Sequence, residues 1–153
     1  MKSAVEKWRR FWRLTKFERG IVVKASLALP VTRVGLRLTG FRRWRVTLAS
    51  LTPAGGEDSF PRSSKLESAR LIARMETIAA RNLFFEPTCL ERSIVLWWLL
   101  RSRGIPVELR VGARKQAERF EAHAWVEFEG TVLGDDAGVH DHFVPFDCPA
   151  ISG

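Results

Sequence analysis

The chain has 153 residues, enough for one domain with its own core, and 46% apolar against 27% charged residues suits a globular protein rather than a disordered one. The net charge of +8 is uneven: residues 1–50 hold thirteen Lys or Arg against Glu6 and Glu18, a net of +11, and the remainder sums to −3. The longest greasy stretch, Ile21 to Leu38, contains Lys24, Arg33 and Arg37, which argues against a spanning helix. No apolar h-region follows Lys2, Glu6, Lys7 and Trp8, so a cytoplasmic location with reduced thiols is expected.

Residues 3–13 fit a short basic helix carrying Val5, Trp8, Phe11 and Trp12. Thr15-Lys16-Phe17-Glu18 has the form of a capping box, opening a helix to about Leu38. Phe17, Ile21, Ala25, Ala28 and Leu36 form its inward face. Pro30 is expected to kink or split it, and Gly40 to stop it. A third short helix fits Trp44–Leu51. Thr52–Ser63 gathers Pro53, Gly55, Gly56, Asp58 and Pro61 and marks a boundary. It divides the chain into a basic helical N-terminal extension, 1–52, and a main domain, 53–153.

Ser64-Lys65-Leu66-Glu67 is a second capping-box signal, for a helix to about Arg81 with Leu66, Ala69, Ile72, Ala73 and Ala79 inward. After a linker at 82–87, Thr88-Cys89-Leu90-Glu91 is a third, with Thr88 as N-cap and Cys89 as the first helical residue. Ile94 to Leu100 are seven apolar residues in a row, the mark of a helix buried at the centre of its domain. Gly104 and Pro106 end it.

The period then changes from 3.6 to 2. Val107, Leu109 and Val111 alternate with charged residues in a first strand. Lys115–Phe120 is polar and fits a loop. Glu121–Phe128 forms a second strand, Glu129-Gly130 a hairpin turn, Thr131–Gly134 a third strand, and Phe143–Phe146 a last apolar piece. The fold class is α+β.

Three residues in distinct settings carry the chemistry. Cys89 opens the apolar helix, His123 lies in an alternating strand, and Asp135 ends the next strand twelve residues later. A helix N-terminus and a neighbouring imidazole both favour a thiolate, and a carboxylate fixes the imidazole tautomer. Such a triad is how papain-like and transglutaminase-like active sites are assembled. His123 takes the thiol proton and returns it to the leaving amine. The Cys89 backbone N–H is one oxyanion donor. The sequence does not identify the second, and Asn82 is no more than a guess. Taken singly, a cysteine in an apolar helix is more often a small core residue, and a strand histidine more often structural. The combination favours the active site, because a core cysteine has no reason to sit at N1 of a capped helix. Asp136 competes with Asp135, since one step of register swaps their faces.

Cys89-Leu90-Glu91-Arg92, Leu99-Leu100-Arg101-Ser102-Arg103-Gly104-Ile105-Pro106-Val107, His123-Ala124-Trp125-Val126-Glu127, Gly130 and Asp135 resemble one family over about residues 60–140. It is the transglutaminase-like cysteine peptidase of lasso-peptide biosynthesis, which removes the leader from the precursor. The resemblance implies a central helix packed on a small antiparallel sheet, with Cys89 as nucleophile, His123 as base and Asp135 as orienting acid. It implies the split arrangement: a separate leader-recognition protein delivers the precursor peptide, and an ATP-dependent lasso cyclase closes the ring. Hydrolysis by this chain then needs no cofactor and no metal. Acyl transfer to an amine on the same triad shares the first half-reaction, and the sequence does not separate the two. A non-catalytic basic adaptor with a buried thiol is the third reading.

His140-Asp141-His142, with Asp147 and Cys148 nearby, matches no standard zinc spacing and fits a solvated turn. Trp97 and Trp98 fit the core of the buried helix, with the alternative that one of them lines the substrate groove. Trp8, Trp12 and Trp44, set among arginines, either pack the helical extension onto the main domain or contact a partner, a precursor or, peripherally, a membrane surface. Arg42, Arg43 and Arg45 stand without any nucleic-acid-binding motif, so no nucleic acid is expected.

Overall fold

A computed structural model describes residues 9, 11–52, 62–116 and 119–146. Most of the expected helix over 3–13, the boundary loop from 53 to 61, and Cys148 lie outside the described residues, although 9 and 11–13 are helical. The elements are α1 (Lys16–Ser50), α2 (Arg62–Arg81), α3 (Cys89–Arg101), β1 (Glu108–Gln116), β2 (Arg119–Phe128), β3 (Thr131–Leu133), a short α4 (Val139–His142) and β4 (Val144–Pro145). The four strands form one antiparallel sheet in the order β3-β2-β1-β4.

The capping box at the start of α1 is present: Glu18 N–H donates to Thr15 Oγ1 at 3.2 Å, and Thr15 N–H donates to Glu18 Oε2 at 2.7 Å. Pro30 does not split the helix. The break falls at Gly40, with φ 77° and ψ 167°, a conformation open to glycine because it has no Cβ. The Trp44 ring then lies against Gly35, leaving no room for a Cβ there. Nine residues of straight helix would separate the two by about 13.5 Å, so this contact depends on the bend. The helix expected over Trp44–Leu51 is the segment after the break. Trp44 is therefore a half-buried core residue, whereas Trp12 is 56% exposed beneath the Arg19 guanidinium.

Ile21, Ala25 and Leu29 of α1 are fully buried against α2 and α3, with Ala28 and Leu36 packed beside them. Phe17 departs from the expected inward face: it is 53% exposed, with the Arg103 guanidinium 5.6 Å from its ring. Helix α2 starts at Arg62, two residues ahead of the expected cap, and buries Ala69, Ile72, Ala73 and Ala79. Helix α3 is buried along Ile94–Trp97 and at Leu99 and Leu100, with Trp98 half-buried. Ala124, Val126 and Phe128 of β2 are also buried, and Val126 and Phe128 join α3 in the main core. Trp125 forms a second small cluster with Val139 and Phe143.

The polar stretch 115–120 is not a plain loop. Strands β1 and β2 stay paired out to Gln116↔Arg119, with an Arg114–Glu121 ion pair along the way. Period-2 burial cannot mark this part of the hairpin, because it runs past the end of the core with Arg119 to Ala122 exposed.

Candidate active site

Cys89 stands at the first position of α3, half-buried and with a free thiol. The capping box in front of it forms as expected. Thr88 Oγ1 accepts the Glu91 N–H at 3.3 Å, and Glu91 Oε2 accepts the Thr88 N–H at 2.8 Å. The box engages the Thr88 and Glu91 amides, not that of Cys89. Helix α1 braces this cap. Arg33 Nε lies 3.2 Å from Glu91 Oε1, the Arg33 guanidinium lies 4.3 Å from the Phe85 ring, and Nη2 donates to the Glu86 carbonyl at 3.4 Å.

Across from Cys89, His123 Nε2 lies 2.5 Å from Asp135 Oδ2. Asp135 follows β3 directly after Gly134, whose φ of 72° turns the chain toward the histidine. Asp135 Oδ1 accepts the Asp136 N–H at 2.8 Å, and Asp136 Oδ1 accepts the Gly138 N–H at 3.0 Å. Asp135 is thus the acid that meets the imidazole, and Asp136 caps the following turn. The ring of His123 also packs against Trp125, at 6.2 Å between centroids, and Phe143, at 5.0 Å. With Nε2 engaged by Asp135, Nδ1 is the remaining nitrogen for proton exchange.

Cys89, His123 and Asp135 line one cavity of about 110 Å³ together with Glu76, Arg92 and Ser93. The last three are site residues that sequence reasoning missed. Ser93, one turn beyond Cys89 on α3, donates to the Ala124 carbonyl at 2.8 Å, which ties the cysteine helix to the histidine strand at the residue next to His123. Arg92 donates Nε–H to Glu76 Oε1 at 3.1 Å, and Nη2–H to Glu76 Oε2 at 2.9 Å and Thr77 Oγ1 at 3.0 Å. Glu76 is only 1% exposed. Burial raises its carboxyl above the ordinary carboxylate range, and the Arg92 bonds oppose that rise. Arg92 is held more firmly charged than usual, first by its bonds to Glu76 and further by the charges of Asp135 and Cys89. A fixed cation therefore lies within the field of the thiol. Glu76 had one signal in the sequence: it falls on the inward stripe of α2, among Ile72, Ala73, Ala79 and Ala80.

The cavity shares Leu133, Gly134 and Asp135 with an open groove of about 600 Å³ along α2. Asn82 is not among the cavity's lining residues. Its amide donates to the Ile78 carbonyl at 2.7 Å, at the end of α2. Among the described residues no group of three or more His, Cys, Asp or Glu is arranged to hold a metal ion, and no helix is long and apolar enough to cross a membrane.

A profile of the transglutaminase-like superfamily matches residues 28–147. The chain belongs to that superfamily. No curated protein and no solved structure gives a significant match. The helix-on-sheet arrangement described above is the transglutaminase-like α+β fold, the fold of cysteine peptidases and related acyltransferases. The superfamily match begins at residue 28, within α1, whose Ile21, Ala25 and Leu29 share a core with α2 and α3.

Proposed function

We propose that this transglutaminase-like protein is a cysteine peptidase that uses Cys89, His123 and Asp135 to remove the leader from a ribosomally made lasso-peptide precursor. The observation that carries the catalytic part is the 2.5 Å His123–Asp135 contact in a cavity that Cys89 also lines. The choice of substrate rests on the motifs around Cys89, His123 and Gly130.

His123 accepts the Cys89 thiol proton through Nδ1, while Asp135 holds Nε2–H and stabilises the imidazolium. The sulfur adds to the carbonyl carbon of the scissile bond, and the Cys89 N–H faces the developing oxyanion. Collapse breaks the C–N bond. The leaving amine takes the proton from His123, and the leader remains as a thioester on Cys89. His123 then removes a proton from water, which attacks the thioester and frees the leader acid and the thiol. Arg92 stabilises negative charge at the thiolate and the oxyanion without moving a proton.

In this reading a separate recognition protein delivers the precursor and an ATP-dependent cyclase consumes the freed core. Residues 1–52 serve as a basic helical platform for the peptidase segment, 53–153. Incubating precursor and recognition protein with the chain and weighing the products tests the proposal. Hydrolysis adds one water across the cleaved bond, whereas acyl transfer leaves a new amide. Cys89→Ala should keep the fold and release no leader. Leader release by that variant at the wild-type rate would overturn the assignment.

A further inference from the structure

Helix α1 has two apolar faces, and among the described residues only one is covered. Ile21, Val22, Ala25 and Leu29 enter the core. On the opposite side Val23, Leu27, Val31, Val34 and Leu38 are 47%, 65%, 57%, 54% and 79% exposed. Their spacings of 4, 4, 3 and 4 residues place all five within about 80° of arc, in a row about 22 Å long. Isolated exposed aliphatics need no explanation, but a continuous row does.

The surroundings of the row are cationic. Lys16, Lys24 and Arg37 are exposed on the same outward side, and Arg13 and Arg42 are exposed at its two ends. Glu18 is the only acid in α1, and it is engaged in the capping box with Thr15. Phe17, 53% exposed, stands beside the N-terminal end of the row. Aliphatic side chains flanked by long-stemmed cations, with an aromatic at one end, are the composition of a helix that lies in a membrane interface. The apolar row enters the acyl boundary while Lys and Arg reach the headgroups. A second copy of the chain is a poor occupant, because it would set two cationic rims against each other.

We propose that the outward face of α1 docks this protein on the surface of an anionic lipid bilayer, with α1 parallel to the membrane plane. The row lies on α1 opposite the side that packs on α2 and α3, so docking buries neither the cysteine helix nor its cap. The inference is independent of the peptidase reading.

Flotation of the full chain with vesicles tests it, using phosphatidylcholine alone and phosphatidylcholine mixed with phosphatidylglycerol. The wild type should float with the anionic vesicles at low salt and remain below with the neutral ones. Lys24→Gln with Arg37→Gln should lower partitioning about 30-fold, about fivefold per cation. Leu27→Gln, Val31→Gln and Val34→Gln together should lower it more than about tenfold. Circular dichroism and the rate of Cys89 alkylation should stay as in the wild type in both variants, since none of these residues enters the core or the cavity. Three results would each overturn the proposal. One is a wild type that stays below with anionic vesicles. Another is a triple variant that floats like the wild type, leaving only diffuse charge attraction. The third is a wild-type dimer by light scattering that the triple variant converts to a monomer, which would assign the face to a second copy.

Discussion

Arg92 grips Glu76 through two N–H···O bonds, at 3.1 and 2.9 Å, in the wall of the cavity that also holds Cys89, His123 and Asp135. The arginine lies one helical turn from the cysteine, and its partner is almost wholly buried. Breaking such a pair strands a charge. The Arg92 side chain retains 32% exposure, which softens the penalty. Glu76→Gln should therefore destabilise the fold by about 2 kcal/mol, below the full cost of breaking a wholly buried pair. Urea unfolding at neutral pH measures it.

The same carboxyl has a pH signature opposite to that of most paired acids. Burial raises its folded-state pKa above the unfolded value, so folding takes up a proton there. The proton-linked part of its stability is complete below the ordinary carboxylate pKa and is lost as pH rises through the raised folded value, while the Arg92 bonds remain. Across that window wild-type stability should fall relative to Glu76→Gln as pH increases. Parallel urea titrations of the two proteins over the acid range would show it, and parallel curves would contradict it.

Ser93 couples the Cys89 helix to the His123 strand through the Ala124 carbonyl at 2.8 Å. Ser93→Ala should cost about 1 kcal/mol of stability, the net worth of a typical hydrogen bond. It should also lower leader release further than the stability loss explains, because the helix-to-strand spacing sets the sulfur-to-imidazole approach. Cleavage rates at a temperature where both proteins are fully folded separate the two effects.

Asp135 and Asp136 should respond differently to the same change. Asp135→Asn removes the acceptor for the protonated imidazole and should reduce cleavage on the order of 10²-fold or more. Asp136→Asn disturbs only the turn at Gly138 and should leave cleavage within about threefold, since its role is a single exposed hydrogen bond. Equal losses in the two variants would remove the distinction drawn from the geometry.

Much of this arrangement was legible in the residues. The Thr88–Glu91 box announces where α3 begins and hence that Cys89 occupies N1, and the run from Ile94 to Leu100 announces that α3 is central. Alternation places His123 in a strand. The choice between Asp135 and Asp136 was not legible, because it turns on the positive φ of Gly134 at a strand end, where periodicity stops. Glu76 and Arg92 were hidden for another reason. Arg92 looks like an ordinary charged helix residue, and although Glu76 sits on the inward stripe of α2, no local pattern encodes its contact with an arginine sixteen residues on. Pro30 and Gly40 show the same limit: both are helix breakers, and packing of Leu29 and Thr32 on either side of Pro30 keeps the helix intact there while Gly40 takes the bend.

The account depends on Cys89 reacting as a thiol activated by His123. Alkylation by iodoacetamide at pH 7, followed at Cys89 by peptide mass spectrometry in the folded chain, tests this without a substrate. The wild type should react at least about tenfold faster than His123→Ala, since the thiolate, not the thiol, is the nucleophile. Equal, slow alkylation in the two proteins would contradict it and leave Cys89 as a packing residue.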